Sequence, residues 1–245
     1  MKLFSLFIFS LLFQTHFLYS QKIGLVENYN PIFKHAHLKK NNSLNFEVKK
    51  IENLDYDISP YIDSLFQISN VEIIKYDDFD FSIFEKIVSK YPTANINFPN
   101  KKIISALNQF CINKKVNYLI IIDRNDIYSA FSPYGKTFDE TFDFGITTHD
   151  GTKKRIYFYN KLRIMYYNFK TRKLEMAFSG FKNDGLLNSE WKSVKFDTDS
   201  FDPTTKNLTR PKESQSLFLE EYKKRFKVEF ERMVEKLNKD IHSIK

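Results

Sequence analysis

Cysteine is nearly absent: the 245-residue chain has one, Cys111. A lone thiol excludes an intramolecular disulfide framework and any iron–sulfur or multi-thiolate zinc site held within one chain. Glycine is scarce too, and six residues are too few for a β-helix or a glycine-rich repeat. No glycine run of the phosphate-cradling kind occurs, which argues against a nucleotide enzyme. No serine sits in a Gly-x-Ser-x-Gly setting, so Ser129, Ser132 and Ser179 lack a nucleophile elbow. Long apolar runs are missing as well. Leu3–Phe13 and Leu119–Ile122 both fall short of the ~20 residues that a membrane span needs. These absences lead us to expect no catalytic motif, no cofactor and no metal centre.

What is present is globular. Hydrophobic residues at 42% against 28% charged exclude a disordered or collagen-like chain. Twenty-six Phe and 14 Tyr predict a dense aromatic core. The balance of 38 Lys+Arg against 30 Asp+Glu, formally +8, points to anionic partners. The N-terminus has the layout of a secretory leader: Met1-Lys2, the apolar stretch Leu3–Phe13, then Leu18-Tyr19-Ser20, with cleavage expected between Ser20 and Gln21. No cysteine lies at that bond, so no lipid anchor is expected. An exported chain without cysteine pairs fits a bacterial periplasm or cell surface.

Residues 21–245 read as one mixed α/β domain, an α/β (α+β) sandwich. Strands are expected at 22–27, 45–51 and 71–76, with 28–44 as a polar loop. Ser59-Pro60 opens a helix, a second helix runs from Phe84 to its stop at Pro92, and Asn100 caps a third that carries Ile103, Ile104, Leu107, Phe110 and Cys111 on one face. Val116–Ile122 is the strongest strand. Its apolar continuity predicts a central strand buried on both faces. After a loop at 125–140, Thr141–Thr148 and Arg155–Phe169 read as long antiparallel strands around Asp150-Gly151, and Leu174–Phe178 returns from a turn at 170–173 as a late hairpin. On the 155–169 strand, Ile156, Phe158, Leu162, Ile164 and Tyr166 form one apolar face. Residues 180–212 read as a polar excursion. From about 213 to 241, Leu219, Tyr222, Phe226, Phe230, Met233, Leu237 and Ile241 recur three or four apart, the stripe of a long terminal helix.

Three parts of this order resemble a known pattern. They are Ile23-Gly24-Leu25-Val26, Val71-Glu72-Ile73-Ile74, and Asn117-Tyr118-Leu119-Ile120-Ile121. With the turn Lys170–Lys173 between two late strands and the closing helix, they resemble the periplasmic α/β domain of the curli-secretion lipoproteins and of the outer-membrane lipoprotein activators of penicillin-binding proteins. The lipidated cysteine of those families is absent here. The resemblance implies an envelope accessory role and carries over no catalytic residue.

Candidate sites follow from side-chain chemistry. Tyr157, Tyr159, Lys161, Arg163 and Tyr167 share the second face of the 155–169 strand, a candidate aromatic–basic surface for an envelope protein or anionic polymer; export argues against nucleic acid. Asp123, Arg124, Tyr134 and His149 could line a pocket at the end of the central strand, where α/β ligand sites form. His35 and His37 would share a side on a strand, but two histidines fall short of a metal site and read as solvent-exposed. Asp77, Asp78 and Asp80 read as helix-capping acids, Asp197, Asp199 and Asp202 as loop acids, and Cys111 as a buried hydrophobe. The leading expectation is a non-catalytic exported binder. The alternatives are an exported hydrolase near Asp123 and His149, and self-assembly through the terminal helix.

Overall fold

The computed structural model describes residues 22–41, 46–68, 73–84, 101–124, 138, 141–179 and 190–242. The leader, Val71, all of the expected Phe84–Pro92 helix after Phe84, the Asn100 cap, most of the 125–140 loop with Tyr134, and residues 180–189 lie outside them.

Among the described residues, ten strands and three helices follow one another: β1 Ile23–Asn28, β2 Ile32–Lys40, β3 Phe46–Asp57, α1 Ser59–Ile68, β4 Ile73–Tyr76, α2 Lys101–Lys114, β5 Tyr118–Arg124, β6 Phe144–His149, β7 Arg155–Asn160, β8 Leu162–Asn168, β9 Lys173–Ser179, β10 Glu190–Lys195 and α3 Pro211–His242. They build two five-stranded sheets. The first has the order β4-β1-β5-β8-β9, with β4, β1 and β5 parallel and β8 and β9 antiparallel. The second has the order β10-β7-β6-β2-β3, antiparallel except for β6 beside β2. The fold is thus a mixed α/β sandwich with a buried central strand, late antiparallel hairpins and a long C-terminal helix. The sheets are interleaved along the chain: β1 belongs to the first, β2 and β3 to the second, β4 and β5 to the first, β6 and β7 to the second, β8 and β9 to the first, β10 to the second.

The inner core lies where both sheets meet α1 and α3. It gathers Ile23, Leu25, Ile120, Ile122 and Ile164 from the first sheet, Phe33, Phe144, Ile146, Ile156 and Phe158 from the second, and the α3 stripe. Phe218 of α3 is its hub, edge-on to Phe33 at 4.9 Å and to Phe158 at 5.3 Å between ring centroids. The expected stripe Leu219, Tyr222, Phe226, Phe230, Met233 and Leu237 is buried to its last described member. The helix starts two residues earlier than expected, with Pro211 in its first turn, where a missing N–H costs nothing. It does not project. Tyr61 donates to the Lys223 carbonyl at 2.8 Å, and Asn168 donates to Asp240 at 2.9 Å.

A second core covers the other face of the first sheet. Val26, Leu119, Ile121, Met165 and Tyr167 pack there with Ile103, Leu107 and Cys111 of α2 and with Phe79 and Phe84. β5, apolar on both faces, is the central strand, as its composition predicted. α2 ends without glycine: Lys115 takes φ 55° and the Val116 amide bonds back to the Cys111 carbonyl at 3.1 Å. A third cluster, Ala36, Leu38, Phe138, Phe142 and Tyr159, covers the outer face of the second sheet.

Three expectations need correction. The polar loop expected at 28–44 contains β2, an interior strand of the second sheet. Its Lys34, His35 and His37 side chains are buried and meet partners from other strands and turns, which periodicity cannot reveal. The polar excursion at 180–212 contains the edge strand β10, and Trp191 on it is buried in the inner core. The long strand expected at 155–169 is two strands in different sheets. The chain crosses over at Lys161, whose amide donates to the Asp143 carbonyl at 2.7 Å, while the Asn160 side chain both donates to and accepts from the Leu162 backbone at 3.3 Å. No proline or glycine marks the crossing. The apolar alternation runs through it unbroken, because Ile156, Phe158, Leu162, Ile164 and Tyr166 all face the same inner core.

Candidate functional site

The carboxyl ends of parallel strands, where connections leave the sheet, are where open α/β sheets place ligands. In the first sheet, β1 and β5 end together. Asn28 lies beside Asp123, and Asp123 beside Arg163 of β8, in one cross-strand row. Strand alternation puts Asp123 on the face of Leu119 and Ile121, and Arg163 on the face of Met165 and Tyr167, which is the α2 side. The Arg163 guanidinium donates to Asp123 Oδ2 from Nη2 at 2.5 Å and from Nε at 3.2 Å. Asn28 Nδ2 donates to the other carboxylate oxygen at 3.0 Å. Phe84 covers the guanidinium, its ring centroid 5.4 Å from Cζ.

Arg163 is only 2% exposed and Asp123 3%, whereas Asn28 is half-buried and opens the row toward solvent. A buried ion pair is a costly way to stabilise a fold, because desolvating two charges offsets much of their attraction. This one is also incompletely satisfied. Both oxygens of Asp123 are engaged, but Arg163 Nη1 is buried with no hydrogen-bond partner among the described residues. A guanidinium carries five donors in a fixed fork. Buried donors without acceptors are uncommon in folded proteins and call for an explanation.

Two more polar clusters are buried in the second sheet. On its outer face, His149 Nε2 meets Glu190 Oε1 at 2.6 Å, and the Thr147 hydroxyl donates to the same oxygen. Tyr157 and Phe46 stand edge-on to the imidazole at 4.6 and 5.3 Å. The hydroxyl is committed to the carboxylate, and the imidazole is 3.5 Å from it, so this trio is not an activated nucleophile. On the inner face, His35 and His37 share a side of β2, as strand geometry predicted, but both are fully buried rather than solvent-exposed. His35 Nδ1 meets Glu52 Oε1 at 2.7 Å and its Nε2 meets Thr148 Oγ1 at 2.8 Å. His37 Nδ1 meets the same hydroxyl at 2.9 Å, and its Nε2 meets Asp150 Oδ1 at 3.1 Å. Hydrogen bonds from His35 and Lys50 hold the Glu52 carboxyl down at about 2. Burial pushes both imidazoles down, opposed by their carboxylate partners.

The candidate residues are therefore distributed as follows. Of the five aromatic–basic positions, Tyr159, Lys161, Arg163 and Tyr167 are buried and only Tyr157 is half-exposed. Tyr159 lies under Phe138 and Phe142, and Tyr167 donates to Asn108 at 2.6 Å, so these residues form no continuous open face. Inward and outward residues alternate as strand geometry predicts, but the far side of the strand is two outer faces, each covered by its own layer. Asp123 belongs to the first sheet with Arg163, and His149 to the second with Glu190. Arg124 is half-buried at the end of β5.

Asp80 accepts the Ser82 amide at 3.0 Å, as a capping acid does, and Asp78 pairs with Lys114. Asp197 pairs with Arg210, and Asp202 accepts the Thr204 and Thr205 amides. Burial raises the Cys111 thiol to about 12, which fits an inert core residue. Among the described residues no group of three or more His, Cys, Asp or Glu is arranged to hold a metal ion, and no helix is long and apolar enough to cross a membrane. Asn28, Glu52, Thr148 and Glu190 were not singled out from the sequence. Each becomes visible only through a partner from a distant strand.

Comparison with known proteins adds no relative: no family model matches the chain, and neither a curated protein nor a solved structure does.

Proposed function

We propose that this chain is an exported, non-catalytic binding protein of the bacterial envelope that takes an oxyanion of its partner, carboxylate or phosphate, on Arg163 at the carboxyl edge of the first sheet. The spare Nη1 donors of a buried guanidinium carry this reading. The net charge of +8, the leader-like N-terminus and the resemblance to envelope accessory lipoproteins agree with it. A hydrolase centred on Asp123 and His149 would need those two side chains together, and they stand in different sheets with different partners. Self-assembly through the terminal helix would need an uncovered apolar stripe, and its described members from Leu219 to Leu237 are buried within the chain.

Titration of arginine-labelled protein with inorganic phosphate, and separately with acetate, tests the site by nitrogen NMR. The expected result is a saturable shift of the Arg163 Nη1 resonance together with a raised Tm, both lost in Arg163→Lys, which keeps the charge but not the fork. An Arg163 resonance unmoved by either anion would overturn the site. Mass spectrometry of the native protein's N-terminus tests the export: Gln21 in the envelope fraction is expected, and an intact Met1 in the cytoplasm would overturn it.

A further inference from the structure

The pair His35 and His37 poses a question of proton count. Their outer nitrogens face carboxylates. His35 Nδ1 is at Glu52 and His37 Nε2 is at Asp150, so each of these nitrogens carries a proton and donates it. In two neutral rings the inner nitrogens, His35 Nε2 and His37 Nδ1, are then both acceptors. Both face the hydroxyl of Thr148, at 2.8 and 2.9 Å. That hydroxyl has one proton and can serve only one of them. The other ring would hold its lone pair against an oxygen lone pair in a site with no water-exposed atom on either ring.

One added proton removes the conflict, and the two hydrogen bonds it completes at Thr148, with the carboxylates at the outer nitrogens, oppose the burial that pushes each imidazole down. The protonated ring donates to the Thr148 oxygen, and the Thr148 hydroxyl donates to the other ring. Rotating that hydroxyl exchanges the roles of the two rings, so the proton belongs to the pair. A second added proton brings the conflict back in reverse, with two adjacent cations and a hydroxyl that has no acceptor. The charged groups facing the pair are Glu52 and Lys50 from β3, Asp150 from the β6–β7 turn, and Lys206 from the segment after β10.

We propose that His35, Thr148 and His37 form a binding site for one shared proton at neutral pH, and that this proton fastens the segment 196–210 to the second sheet. The segment is seated on the pair. Phe201 is fully buried with its ring centroid 4.3 Å from that of His37, and Lys206 reaches Asp150 at 2.9 Å, on the oxygen that His37 also uses. Its other ties to the second sheet are the Phe196 amide to the Lys154 carbonyl at 2.7 Å, the Ser200 amide to that of Lys153 at 2.6 Å, the Ser200 hydroxyl at the Lys153 and Arg155 carbonyls, and the packing of Phe196 and Leu208 in the inner core; the Thr209 amide closes the segment on itself at the Ser200 carbonyl, 3.1 Å away. An imidazolium on His37 strengthens the Asp150 contact through a charge-assisted bond. Loss of the shared proton weakens that contact and leaves Phe201 packed against a ring with an unsatisfied nitrogen.

Histidine-selective nitrogen NMR on the whole protein decides the first claim. At pH 7 the two rings are expected to give signals that sum to one imidazolium, with His35 keeping Nδ1–H and His37 keeping Nε2–H. Two fully neutral rings at pH 7 would overturn the site. Amide hydrogen exchange decides the second claim. As pH rises through the loss of that proton, exchange at Phe196, Ser200 and Thr209 is expected to rise more than tenfold beyond the base-catalysed increase seen at β5 amides. Equal increases in the segment and in β5 would overturn the coupling. Thr148→Val keeps the shape but removes the shared oxygen. It is expected to give two neutral rings and fast segment exchange already at pH 7, and a retained imidazolium in this variant would overturn the shared-proton arrangement. The wild-type ring spectra decide the first claim even where that variant folds poorly.

Discussion

The two sheets have equal strand numbers and a common inner core, yet they fill their buried faces differently. The first sheet is closed on both sides by hydrocarbon: Leu119, Ile120, Ile121 and Ile122 of β5 meet the inner core on one face and α2 on the other, and the described charge buried there is the Asp123–Arg163 pair at one end. The second sheet places polar groups in its middle strands. Lys34, His35 and His37 of β2 and Thr147, Thr148 and His149 of β6 are all buried. Apolar packing is non-directional and tolerates small rearrangements, whereas a buried polar network works only when every member is satisfied. The first sheet should therefore answer to volume, and the second to geometry and proton count.

The sharpest test of that contrast is Gly145→Ala on β6. Gly145 has φ 150°, and a Cβ there would lie 2.0 Å from the Lys34 carbonyl oxygen, so β2 and β6 could not keep their register. Loss of folding, or a cost of at least about 4 kcal/mol in urea unfolding, is expected. Next is Arg163→Met, which takes the guanidinium away from the buried Asp123 carboxylate at a cost of roughly 3–5 kcal/mol. The double variant Arg163→Met/Asp123→Leu should recover most of this, because two apolar side chains suit the hydrocarbon surroundings of the first sheet. A double variant no more stable than the single would break the comparison from the other side.

Glu52→Gln tests the second sheet through pH. The folded carboxyl is held at about 2, below the ordinary 4.5, so its contribution is present above about pH 5 and is lost as pH falls toward 2. Wild type should exceed the variant by about 2 kcal/mol at pH 6, with the two unfolding curves converging below pH 3. The smallest effect is expected from Arg232→Ala on α3. Its pair with Glu229 is exposed, and the change should stay within about 0.5 kcal/mol by thermal denaturation.

The same contrast explains what could be read from the residues. β5, α2 and the α3 stripe show a period or an unbroken apolar run, so their sequence carries their placement. β2 does not: Ile-Phe-Lys-His-Ala-His-Leu reads as polar until Glu52, Thr148 and Asp150 are brought beside it. The crossing at Lys161 was hidden for a related reason, since the inward alternation continues across two sheets. Of the candidate site, Asp123 at the end of the central strand was legible. Its tie to Arg163 was not, because residues 40 apart in sequence meet only through the β5–β8 register.

The interleaving of the sheets has a consequence for how the chain acquires its structure. Neither sheet is built from an uninterrupted run of its own strands: the first waits for β9 and the second for β10. The inner core then waits for α3, whose Phe218, Tyr222 and Phe226 fill the space between them. Most of the stabilising contacts thus join distant parts of the chain, which slows the search for the native state. A chain emerging from N- to C-terminus gains little by folding piecemeal. It can be threaded in an open form until its last helix arrives, and proteolytic fragments cut anywhere in the middle should fail to hold a native sheet on their own.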